Sequence, residues 1–366
     1  MSLLLRAARW VAAGVALAAA HAAAQVPPDY PSGYQKVISS GAREGRLVIY
    51  SSTDLSAAAP LIAEFEAMYP SIKVEYGEMN TSEVYGRFVA ETLASGTSAD
   101  VTWSSSMDLQ IKLANDRYAE AYRSPEARSL PEWAVWRDEA YGTTFEPVVF
   151  VYNKRLLAEN EIPRTHSELQ HLLETRADKF SGNVTTYDIE KSGVGFLFLS
   201  QDSIAMPAFW ALLKAIGASN VELEANTAPM IERIASGKDL IGYNLLGSYA
   251  MARAKRDPAL GIVLPKDYTL VLSRVMLIAR KARHPNAAKL WVDFILSRRG
   301  QTIIAERSRL FSIRSDVSGE FTAAALMRTL GASARPIAVG SGLLVHLDKA
   351  KREEIMRRWR QAISTR

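Results

Sequence analysis

Two runs of apolar residues break the alternating pattern of the chain, Phe145 to Tyr152 and Tyr268 to Ala279. Neither has the polar face of a half-exposed strand. In the second, Val271, Leu272, Val275, Met276, Leu277 and Ile278 leave almost no polar position, which predicts a strand buried on both sides. The rest alternates short strands with helical periodicity. Arg46 to Tyr50 predicts a strand that runs into Ser51-Ser52-Thr53-Asp54. A helix over Ala57 to Tyr69 carries Leu61, Ile62, Phe65 and Met68 on one face and stops at Pro70. Ile72 to Tyr76, Glu83 to Ala94, Asp100 to Trp103 and a helix from near Met107 continue the order strand, loop, helix. Three such units predict an α/β fold with a mostly parallel, doubly wound sheet.

The later half repeats the pattern. Val184 to Tyr187 predicts a strand before the small-residue loop Ser192 to Gly195, and Met206 to Ile216 a helix ended by Gly217. Asp239 to Asn244 predicts another strand, with a helix from Leu246 to Lys255. Residues 154 to 179 read as polar and helical, with Thr165 as the cap of Glu168 to Glu174. After His284-Pro285, a helix opens at Asn286 and repeats Ala287, Leu290, Trp291, Phe294 and Ile295 at helical spacing. If the two apolar runs are crossings between lobes, residues 43–147 and 271–320 form lobe 1 and 148–270 form lobe 2. The helical tail, 321–366, is left without a lobe.

Composition narrows the setting. Residues 1–24 read as a secretory signal: Arg6 and Arg9, an apolar centre from Val11 to Ala20, and Ala22-Ala23-Ala24 before Gln25. The apolar run is shorter than the roughly 20 residues a membrane span needs. The chain has no cysteine, so disulfides, thiolate metal sites and a lipid-bearing amino-terminal cysteine are excluded. A soluble periplasmic protein, not a lipoprotein, is expected. The net charge of +5 is spread along the chain, and the basic stretch from Lys349 to Arg360 is interrupted by Glu353 and Glu354. That is not the basic, aromatic-bearing face of a nucleic-acid binder.

Catalytic signatures are missing. There is no G-x-S-x-G, S-x-x-K, G-x-G-x-x-G or P-loop. His166 and His171 are five apart, not the spacing of a zinc helix, and both read as surface residues. No cofactor is expected, and a secreted hydrolase stays as the weaker alternative. Hydroxyl and glycine loops at predicted strand ends offer other chemistry: Ser51, Ser52 and Thr53; Asn80; Ser104, Ser105 and Ser106; Ser192 and Gly193; and Tyr243, Asn244, Ser248 and Tyr249. Helix starts there expose unpaired N–H groups to an anion, although N-capping by serine alone accounts for any single loop. Arg274 either reaches the same cleft or faces solvent. Tyr243 and Tyr249 either meet a ligand or pack in the core.

The segments RLVIYSS, SADVTWSSS, VVFVYNK, GYNLLGSYA, PKDYTLVLSR and HPNAAKLWVDFILSRRGQ resemble the periplasmic solute-binding proteins of ABC importers. The similarity runs from about 43 to 316 and is nearest the branch holding ferric-iron binders and binders of phosphorylated or phosphonate compounds. It implies a two-lobe periplasmic binding protein fold of type II, a two-strand hinge and a small ligand trapped between the lobes. A monomer is expected, delivering to an inner-membrane permease with its ATPase; the alternative is a sensor subunit that meets a sensor kinase instead of a permease. Iron-holding members place two adjacent tyrosines in the region matching Gly247 to Ala250, often with a histidine after the first strand. Here that region reads Gly-Ser-Tyr-Ala and the first loop has no histidine. Iron would have to use Tyr249 with Tyr243 or Glu146. The hydroxyl loops favour an organic anion: a phosphate ester, phosphonate or carboxylate.

Overall fold

The computed structural model describes residues 26, 27 and 29–364, so the expected signal segment lies outside the described residues. Its strands are β1 (Arg46–Ser51), β2 (Lys73–Glu78), β3 (Val101–Ser104), β4 (Val135–Trp136), β5 (Ala140–Gly142), β6 (Glu146–Asn153), β7 (Val184–Tyr187), β8 (Glu222–Glu224), β9 (Ile241–Leu246), β10 (Leu260–Val263), β11 (Thr269–Leu272), β12 (Val275–Ile278) and β13 (Ala334–Pro336). They form two sheets. The first has the order β2-β1-β3-β12-β5-β4 and the second β13-β11-β6-β9-β7-β8, with β10 also on β6. Parallel pairing holds where strand-loop-helix units run in succession, as in β1 with β2 and β3, and in β7 with β8 and β9. Where the chain returns from the other sheet it pairs antiparallel, as β12 does with β3 and β5. Each sheet is therefore mixed, more antiparallel than the order of elements alone implies.

The two apolar runs are not continuous strands shared by both sheets. β6 lies wholly in the second sheet, and the link from the first sheet is Thr143 to Phe145. The run Tyr268 to Ala279 is broken at Ser273-Arg274, with β11 in the second sheet and β12 in the first. The break has a local cause. The two links bond to each other instead of to the sheets: Thr143 N and Thr143 Oγ1 donate to Arg274 O at 2.9 and 2.8 Å, and Arg274 N donates to Thr144 Oγ1 at 2.8 Å.

The first lobe's core is built on the helix Pro285–Leu296, whose proline sits in the first turn where its missing N–H leaves no bond unmade. Trp291 and Leu290 are fully buried, and Gly41 lets the helix Tyr34–Glu44 come close enough that a Cβ there would lie 2.8 Å from Leu290 Cδ1. Asp293 on the same helix accepts from Tyr34 at 2.5 Å, and from Tyr122 and Ser124 at 2.6 Å each. Burial lifts its carboxyl to about 6. His166 departs from the surface position expected for it. It is buried, with Nδ1 3.0 Å from Asp267 Oδ1 and its ring stacked 4.0 Å from that of Tyr268. The partner is about a hundred residues away, beyond the reach of local pattern. His171 is exposed.

The tail closes the molecule from behind. β13 extends the second sheet alongside β11. Residues 341–347 then pack on the helix Met107–Asn115 of the first lobe, and the last helix, Lys349–Ile363, packs on Phe209–Ala218 of the second. Contact there is backbone to backbone: a Cβ on Gly217 would lie 2.0 Å from Ala362 O. Gly217→Ala should cost about 1–3 kcal/mol through this overlap. Gly33→Ala, with nothing within 4 Å, is the control. Urea unfolding that moved both variants equally would rule out tight seating of the last helix.

Candidate functional site

The loops after β1 and β3 are held together by serine. Ser51 Oγ donates to Trp103 O at 2.8 Å and accepts from Thr53 N at 3.0 Å, turning the chain sharply at the strand end. Ser52 Oγ accepts from Ser105 N at 3.0 Å and lies 3.3 Å from the hydroxyls of Ser104 and Ser105. Ser104 Oγ accepts from Ser106 N at 3.2 Å, and Ser106 Oγ donates to Asp108 Oδ1 at 2.8 Å. Asn80 forms a capping box with Glu83 at the start of the helix Thr81–Ser95. Ser192 likewise caps Gly193–Ala205 by accepting from Gly195 N. For Asn80 and Ser192 the side-chain oxygen is committed to capping.

The two lobes meet at these loops. Val194 N donates to Thr81 Oγ1 at 3.1 Å, and a Cβ on Gly193 would lie 2.7 Å from Ser106 Oγ, so a larger residue there would force those side chains aside. Asp54 N donates to Tyr249 Oη at 2.9 Å. Behind that contact lies a buried pair from the two links, Arg274 and Glu146, both 0% exposed. Arg274 Nε donates to Glu146 Oε1 at 2.8 Å and Nη2 to Oε2 at 3.1 Å, a bidentate pair, while Nη1 reaches Thr53 Oγ1 at 3.0 Å. Thr144 and Ser248 donate to the same carboxylate. The guanidinium lies over the Tyr249 ring, 4.9 Å from its centre. Burial alone would lower the arginine's proton affinity, but the adjoining Glu146 charge prevails and holds it above its usual value. Burial raises the Asp54 carboxyl, an effect opposed by Arg274.

Tyr243 and Asn244 lie elsewhere. Tyr243 Oη and Asn244 Nδ2 donate to Asp202 Oδ2 at 2.8 and 2.5 Å, and Tyr268 Oη donates to Oδ1 at 2.8 Å, all inside the second lobe. Asp202 is fully buried, so the three donors satisfy a core carboxylate rather than a ligand. The residues named for iron each have other partners. Tyr243 donates to Asp202, Glu146 is paired with Arg274, and burial holds the Tyr249 phenol well above its usual value. Among the described residues no group of three or more His, Asp or Glu is placed to hold a metal.

A cavity of about 390 Å³ opens beside Tyr249. One wall belongs to the first lobe, with Asp54, Ser56 and Arg307 to Arg309, and the other to the second, with Glu232, Tyr249, Arg253 and Arg256. These arginines were not read as site residues, because their only local signals are the Arg-Ser-Arg triplet and the spacing of Arg253 and Arg256.

The buried pair generates a test. Arg274→Met strands the Glu146 charge and should cost about 3–5 kcal/mol, while Arg274→Met with Glu146→Leu should recover most of it. A single-variant cost below about 1 kcal/mol in urea unfolding would show that the pair is solvated.

The sequence pattern of bacterial extracellular solute-binding proteins matches residues 60–329. The chain is 43% identical to the substrate-binding protein of the ABC transporter from Agrobacterium tumefaciens, with a TM-score of 0.84 over 87% of this chain and 94% of that one. It is also similar to the periplasmic binding protein AfuA from Actinobacillus pleuropneumoniae, solved with exogenous fructose-6-phosphate bound (20% identity, TM-score 0.71, covering 88% and 99%). The ferric binding protein from Campylobacter jejuni is similar too (18%, 0.68, covering 86% and 99%). The last two share the fold. No curated protein sequence matches the chain. With its two lobes, two links and intervening cleft, the chain belongs to the bacterial extracellular solute-binding proteins and is the substrate-binding component of an ABC transporter.

Proposed function

We propose that this chain captures a small organic anion between its lobes in the periplasm and delivers it to an inner-membrane permease with its ATPase, acting by binding and not by catalysis. The observation that carries the reading is the meeting of helix N-termini across the cleft. The starts of Thr81–Ser95 and Met107–Asn115 face that of Gly193–Ala205, and the start of Leu55–Met68 faces that of Gly247–Ala254. Each start carries about half a positive charge, so like ends brought together favour an anion in the adjoining cleft, although the N–H groups of Leu55, Glu83, Val194 and Gly195 are already bonded within the protein. The serine-lined loops add hydrogen bonds at close range. Fructose-6-phosphate in AfuA shows that this fold accommodates a phosphate ester. A ligand that touches both lobes stabilises the closed form by its differential affinity.

Thermal-shift screening against phosphorylated C2 to C6 compounds, dicarboxylates, ferric iron and polyamines tests the class. An anion at a hundred times its Kd should add about 2.7 kcal/mol to stability. Stabilisation by cations or neutral sugars alone would refute the reading. Ser105→Asp puts a negative charge beside the lobe boundary and should weaken the response to the best anion, and an unchanged response would place the ligand away from the serine loops.

A further inference from the structure

Four arginines line the cavity beside Tyr249, two from each lobe: Arg307 and Arg309, and Arg253 and Arg256. Their charges are unequally spent. Arg253 is paired with Glu232 at 3.0 Å and Asp257 at 3.1 Å, and Arg307 approaches Glu64 at 3.9 Å. Arg256 and Arg309 have no ion-pair partner among the described residues. The lining carboxylates, Asp54 and Glu232, leave the cavity with a positive excess. Between Arg307 and Arg309, Ser308 is 7% exposed, and its Oγ has no hydrogen-bond partner among the described residues although it lines the same cavity. A buried hydroxyl without a partner costs stability unless something fills the bond.

We infer that this cavity is the seat of a dianionic oxyanion group, of phosphoryl type, carried on an organic ligand, with Arg256 and Arg309 clamping it from opposite lobes and Ser308 Oγ donating to it. The inference rests on the anion reading above and deepens it. Arginine suits the role because its planar donors match phosphoryl and carboxylate oxygens, and two of them best fit a doubly charged group. At about 390 Å³ the cavity falls in the size range of small-molecule sites, with room for an organic body beside the charged group. An anion between Arg256 and Arg309 would offset their mutual repulsion and so stabilise the arrangement in which both lobes touch it.

The test compares the full protein with Arg256→Gln, Arg309→Gln and the double variant, using inorganic phosphate, glycerol 3-phosphate and acetate at pH 8, with sodium chloride matched for ionic strength. Expected for the unsubstituted protein is a thermal shift and a smaller radius of gyration with phosphate or the monoester, neither reproduced by chloride nor by acetate. Tighter binding of the monoester than of phosphate identifies the organic body as part of the ligand, and equal binding identifies the oxyanion alone. Each single variant should weaken the response about tenfold and the double variant remove it. Ser308→Ala should weaken it severalfold. A double variant that folds and responds as the unsubstituted protein does would overturn this seat while leaving the anion reading intact. A response to acetate with none to phosphate or its ester would overturn the phosphoryl class. No response to any anion would overturn both readings.

Discussion

The Arg274–Glu146 pair is the constraint on which the rest of the molecule depends. Two full charges removed from water are costly, and the cost is offset only if geometry is close and every remaining donor and acceptor is used. Here they are used by both lobes at once. Thr53 from the first lobe takes one guanidinium N–H, Ser248 from the second donates to the carboxylate, and Thr144 on the link completes it. The strand breaks at Ser273-Arg274 because its backbone serves this network instead of either sheet. Hinge and cleft are one bonded unit, so a ligand that rearranges Thr53 or Ser248 acts directly on the segments about which the lobes turn.

Serine and glycine in the cleft follow from the same closeness. Across the lobe boundary, backbone approaches side chain at Gly193 and Ser106 with no room for a β-carbon. Hydroxyls there cap helices and bind each other, and a larger side chain would hold the lobes apart.

Much of this was legible in the chain. Apolar runs at period two and helical spacing locate the strands and helices of the first sheet, since each buries one face against its neighbours. The apolar pattern also marks the two segments that pass between lobes. It does not mark the break at Ser273-Arg274, because residues on both sides are equally buried in different sheets. His166 and Tyr243 were misplaced for a related reason: their partners, Asp267 and Asp202, are distant in sequence, and local polarity cannot tell a satisfied buried group from an exposed one. The arginines of the cavity look like ordinary surface charge until the fold brings residues 253–256 and 307–309 to one space.

The position of β12 also governs how the chain can fold. It lies between β3 and β5 in the first sheet, and Val275 pairs with Ser104 while Met276 pairs with Tyr141. A central strand thus reaches its neighbours only after the whole second lobe has been synthesised. Until then β3 and β5 have a gap between them, and the helix Pro285–Leu296, which supplies the first lobe's core, does not yet exist. Pairings so distant in sequence pay loop-closure entropy before they gain contacts, which makes folding slow. The first sheet therefore cannot be completed in its native order until residues 275–296 are available.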